Sequence, residues 1–170
     1  MRPDNCRAAE YQAWFEGECD RITLGSGFTL IGPFLDCLGD DSPPWEMDFA
    51  IMYQDGMFIR IAETYDPLPK SVGGGGRIRH LSYHYGRHNG AYKADTTPAF
   101  SRQCDLRIDI APHYGRHIHY NNEDHIVEAR IQGLDFDAMD PFKFIRAVEE
   151  HRKTSKPLHE ILGFEVKART

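Results

Sequence analysis

Residues 104–120 read CDLRIDIAPHYGRHIHY. Leu106, Ile108 and Ile110 alternate with Arg107 and Asp109; beyond the Pro-His-Tyr-Gly turn at 112–115, Ile118 and Tyr120 alternate with His117 and His119. A period of two marks a half-buried strand, because successive side chains point to opposite faces. Two such runs with a tight turn and no helix between them predict an antiparallel pair.

The same period extends outward. Arg77–Tyr85 (RIRHLSYHY) sets His80, Ser82 and His84 against Leu81, Tyr83 and Tyr85. Glu46–Tyr53 and Met57–Thr64 alternate on either side of Gln54-Asp55-Gly56, and Asp-Gly between alternating runs is a strong hairpin signal. Residues 124–132 (DHIVEARIQ) predict a closing strand, with Val127, Ala129 and Ile131 inward and Glu128 and Arg130 on the polar side. Residues 86–103 are a long polar stretch, and Pro67 to the run Gly73–Gly76 reads as a flexible loop. That run is not a phosphate loop, since the Gly-Lys-Ser/Thr ending is missing.

Apolar residues at helical spacing predict a helix over 7–19. Asp140 as N-cap and Pro141 at the first helical position predict a second over 141–152, and Gly163 stops a short one at Leu158–Leu162. Residues 21–46 read as an irregular connector with a short strand at Phe28–Ile31. The expected fold is therefore α+β: a single antiparallel sheet of five or six strands over 46–131, with the N-terminal and C-terminal helices packed on its Leu/Ile/Tyr face. Residues 1–170 are expected to form one domain. Its parts are an acidic helix and connector (1–45), the sheet (46–131) and the C-terminal helices (132–170).

With 170 residues and 41% apolar content the chain can bury one modest core. No apolar run is long enough to span a bilayer, and acidic residues at 4, 10, 16 and 18 interrupt any signal-peptide core. The expectation is a cytoplasmic protein with no membrane partner. Cys6, Cys19, Cys37 and Cys104 form no C-x-x-C pair, which suits reduced thiols better than a disulfide frame or a cysteine-based zinc site. Charge is uneven: residues 1–76 carry 5 Lys/Arg against 13 Asp/Glu, residues 77–130 carry 8 against 6, and seven of the nine histidines fall between His80 and His125. A net charge of −6 makes general nucleic-acid binding poor, so any polyanion contact is local to the middle third.

The alternation places His80, His84, Arg107, Asp109, His117 and His119 on one sheet surface. An ordinary solvent face would account for polarity alone, but such a face favours Thr, Lys, Glu and Ser over His and Arg. Histidine titrates near neutrality and suits acid–base work, arginine neutralises developing negative charge, and aspartate orients an imidazole. His84, Arg107, Asp109, His117 and His119 thus form the candidate catalytic set of a metal-independent ribonuclease, needing no cofactor. The alternative is a divalent metal such as zinc held by His80, His84, His117 and His119. His88 and His125 read as surface residues, and His151 and His159 as helix residues with dipole or packing roles.

These residues also carry a family resemblance. Arg60 in a strand after an Asp-Gly turn, Tyr83-His84-Tyr85, Arg107-Ile108-Asp109-Ile110-Ala111-Pro112-His113-Tyr114 and His117-Ile118-His119 resemble the TumE-type toxins of bacterial toxin–antitoxin pairs, over about residues 46–131. The resemblance implies a small cytoplasmic protein that acts on RNA and is held by an antitoxin protein. A reading of another class stays open beside it: a non-catalytic binding module whose His/Arg face grips an anionic ligand or a partner protein.

Overall fold

At the turn that joins the first alternating runs, Gly56 takes φ +82°, a conformation that costs glycine nothing, and its N–H donates to the Tyr53 carbonyl at 3.1 Å. The computed structural model describes residues 8–21, 27–31, 45–67, 76–92, 98–121 and 123–168. The Gly56 turn joins β2 (Trp45–Tyr53) to β3 (Met57–Pro67), in register Ile51↔Ile59 and Phe49↔Ile61. The chain continues as a meander through β4 (Gly76–Tyr92), β5 (Pro98–Ala111), β6 (Gly115–Tyr120) and β7 (Glu123–Val127). Together with β1 (Phe28–Ile31) on β2, these make one antiparallel sheet of seven strands in chain order.

The architecture is α+β with one main antiparallel sheet, but the strand count differs from the five or six expected. The short segment Phe28–Ile31 adds a full edge strand. A second, two-stranded sheet pairs β8 (Ile131–Gln132) with β9 (Glu165–Val166). Two further expectations are corrected. The backbone of the 86–103 stretch is extended on both sides of residues 93–97, so β4 and β5 are longer than their alternating cores. The predicted strand over 124–132 ends at Val127, followed by a 3₁₀ turn, Glu128–Arg130. Its inward residue is Ile126, while Val127 is exposed. The cause is His125, whose φ of +53° breaks the alternation and shifts the parity by one. Gly73–Gly75, Cys6 and Cys37 lie outside the described residues, whereas Cys19 has an exposed thiol.

The helices are α1 (Ala8–Cys19), α2 (Pro141–Thr154) and α3 (Leu158–Leu162). Asp140 caps α2 by accepting from the Lys143 N–H at 2.8 Å, and Gly163 ends α3 at φ +75°. All three sit over the Leu/Ile/Tyr face. Phe15 packs on Phe49 and Phe142, Tyr11 on Tyr65, and Phe144 on Tyr83. The core lies between this face and the helices, and the histidine face is left on the other side of the sheet.

Carboxylates are buried at that core, among them Glu149 of α2, which accepts from the Tyr53 hydroxyl. Glu63 is buried on β3, and its carboxylate accepts from the hydroxyls of Tyr11 (2.6 Å), Tyr65 and Tyr83. A buried carboxylate needs such donors, since isolated burial of the charge is prohibitively costly. Burial, reinforced by the Glu63 charge, pushes the Tyr65 hydroxyl far above the ordinary phenol range.

Candidate functional site

Strand register assembles the site. One row across β3–β6 is Arg60↔His84↔Arg107↔His119, and the adjacent row is Ala62↔Ser82↔Asp109↔His117, ending on Val127 of β7. Directly opposed residues share a face with their Cβ atoms about 4.5–5.5 Å apart. Pairing alone therefore brings His84, Arg107, Asp109, His117 and His119 together, without a loop to position any of them.

Asp109 is the centre. Its Oδ2 accepts from Arg107 Nε at 2.6 Å and lies 3.3 Å from His119 Nε2 and 3.4 Å from His117 Nε2. Burial works to raise this carboxyl. The Arg107 charge and the Ser82 hydroxyl pull against it and hold the group down at about 2. His119 Nε2 is also 2.6 Å from Arg107 Nη2. A guanidinium has only protons to give, so at that distance the ring nitrogen accepts and gives no proton to Asp109, the two acceptors being bridged by Arg107. His119 then carries its proton on Nδ1, which donates to Asp124 Oδ1 at 3.0 Å. His117 is held similarly, its Nδ1 facing the Gly115 carbonyl at 3.2 Å. Burial lowers the His117 imidazole, against the opposing pull of Gly115 and Asp109.

These residues do not lie on an ordinary solvent face. His84, Asp109, His117 and His119 are only 4%, 4%, 3% and 5% exposed. His84 meets the Phe58 ring edge-on at 4.8 Å, and burial, aided by the Arg107 charge, lowers it to about 3. Arg60 forms a two-point pair with Asp48 at 2.6 and 2.9 Å. The Arg107 side chain is 34% exposed, so this cation reaches both the buried carboxylate and solvent. His80 shares the face, but the β4–β5 ladder ends at Leu81↔Ile110, leaving it beyond the cluster.

His125 is exposed, in keeping with its reading as a surface residue, but its ring also joins the cluster. Its ring stacks on His117 at 5.1 Å and meets His119 at 4.6 Å, and one ring nitrogen from each of the three histidines lies within 4.8 Å of the others. Tyr114, 68% exposed, borders His125 at 5.1 Å and His117 at 6.0 Å. With Ile126 inward, 125 and 127 fall on the histidine face, but the sequence alone does not say which of Ile126 and Val127 is inward. No family model, curated protein or solved structure matches the chain.

Proposed function

We propose that this protein is a toxin-like ribonuclease, restrained by an antitoxin protein, whose reactive centre is Arg107, Asp109, His117 and His119. The observation that carries this reading is the convergence of a guanidinium and two imidazoles on one carboxylate, with the guanidinium still open to solvent. Cleavage of an RNA phosphodiester needs a base for the 2′-hydroxyl and a cation for the charge that develops on phosphorus-bound oxygen. With Nδ1–H committed to Gly115, His117 offers its Nε2 lone pair as the base. The 2′-oxygen attacks phosphorus, Arg107 neutralises the non-bridging oxygens, and the departing 5′-oxygen takes its proton from water. Asp109 positions Arg107 and His117.

Histidine nitrogens within 4.8 Å of one another stand on one side of any phosphate they touch, so the scheme uses one imidazole base and not a pair astride the bond. His84, neutral down to about 3, is no acid near neutrality and lies opposite Arg107 across the β4–β5 ladder.

The test is hydrolysis of short single-stranded RNA by purified protein from pH 5 to 9, with and without chelator and with and without added zinc. Cleavage lost in Arg107→Ala with the circular dichroism of the fold retained supports the reading. A folded sample that cleaves under none of these conditions overturns it and leaves the binding module.

A further inference from the structure

His125 holds a left-handed backbone, φ +53°, a conformation that a residue with a Cβ rarely adopts. That conformation brings its ring onto His117 and His119. An imidazole that holds its proton on one ring nitrogen has a lone pair to give at the other. Two such lone pairs are already aimed. The Nδ1 of His117 faces a backbone carbonyl and that of His119 a carboxylate, which fixes each ring with Nε2 turned inward. This is how metal-binding imidazoles are oriented and made more basic.

We infer that His117, His119 and His125 form a binding site for a divalent transition-metal ion of the zinc or nickel class, with Asp109 as the adjacent oxygen donor. Donor atoms about 2.1 Å from a tetrahedral ion are roughly 3.4 Å apart. Asp109 Oδ2 lies 3.4 and 3.3 Å from the two inward nitrogens. Arg107 Nη2, 2.6 Å from His119 Nε2, is the cation now beside these donors. Its partial exposure lets it withdraw to water as the metal enters. Imidazole with one carboxylate favours zinc, nickel or copper over magnesium or calcium, which prefer all-oxygen sets. His80 and His84 take no part, so the ligand set differs from the one the strand pattern alone suggests.

The inference shares with the ribonuclease reading the orientation of His117 by Gly115, but binding is measured without RNA, so the two fail separately. Zinc titrated into the full chain by calorimetry is expected to bind one ion per molecule at micromolar or tighter affinity. Cobalt in its place is expected to give the visible absorption of a four-coordinate nitrogen and oxygen site. His125 is exposed, so His125→Ala leaves the fold intact and is expected to weaken zinc binding at least tenfold. Asp124→Asn, which weakens the hold on His119 Nδ1, is expected to weaken it less, and His151→Ala not at all. Absence of binding at 100 µM zinc, or affinity indifferent to His125→Ala, overturns the site. A protein that binds zinc through His125 yet never cleaves RNA upholds the metal site and overturns only the nuclease.

Discussion

Acidification from pH 7 to pH 4 is expected to remove about 3 kcal/mol of folding stability through His84 alone. The imidazole is nearly fully buried, and its charged form is disfavoured by burial first, then by Arg107 and Arg60, against an opposing pull from Asp109. Its folded value is about 3 against an ordinary 6.5. The unfolded chain therefore binds a proton near pH 6.5 that the folded chain refuses until near pH 3. Stability from this group is present in full above pH 6.5 and falls as pH drops toward 3. At about 1.36 kcal/mol per unit, the full difference is roughly 5 kcal/mol, of which about 3 is lost by pH 4. That is a large share of a typical domain's 5–15 kcal/mol, approximately. The assay is urea unfolding at half-unit steps from pH 7 to 4 for the wild type and His84→Leu. Other titrating groups act in both proteins, so the difference between the curves isolates His84. Curves that stay parallel within about 0.5 kcal/mol would falsify the buried, neutral assignment.

Three further outcomes follow from named contacts. Glu63→Leu strands the hydroxyls of Tyr11, Tyr65 and Tyr83 and is expected to cost at least about 3 kcal/mol in denaturant midpoints, whereas Glu63→Gln, which keeps an acceptor, costs less. Asp140→Ala removes the cap on the Lys143 N–H and is expected to cost about 1 kcal/mol by the same measurement, with no effect on zinc binding. Tyr114→Ala removes an exposed ring at the rim of the histidines and is expected to weaken single-stranded RNA binding by roughly 1–3 kcal/mol, the worth of one stacked base, with stability unchanged; equal affinities in a filter-binding titration would refute this.

Strand periodicity made much of the fold readable, because residues such as Leu106, Ile108 and Ile118 are apolar on one parity and polar on the other. The hairpin at Asp55-Gly56 and the capped start of α2 were readable for the same local reason: turn and cap chemistry involve near neighbours. The row from Arg60 to His119 was partly legible, since parity gives the face but not the register. His125 was not legible. In the sequence DHIVEARIQ either Ile126 or Val127 can be the inward residue, and a single left-handed residue decides between them. Burial of the polar face was hidden as well, because alternation distinguishes two faces without saying which one water reaches.

The two buried carboxylates of this sheet show why chemistry is sought on one face and not the other. Glu63, on the helix side, is surrounded by phenols, and Tyr65 among them is pushed far above the range in which it would ionise. Tyr65 keeps its proton at any ordinary pH, and the three donors come from one helix and two strands of the core, so moving them means unpacking it. Asp109, on the other side, is surrounded by a guanidinium that reaches solvent and by imidazoles that exchange protons or lone pairs. Each arrangement answers the same requirement, a charge buried with its partners. In the first the partners are fixed, and in the second they can be exchanged for a phosphate, a proton or a metal ion without disturbing the helix-side core. The sheet thus separates a polar group that specifies packing from one whose surroundings can change during function, and the strand register that opposes Arg107 to His119 and Asp109 to His117 is what places the second kind together.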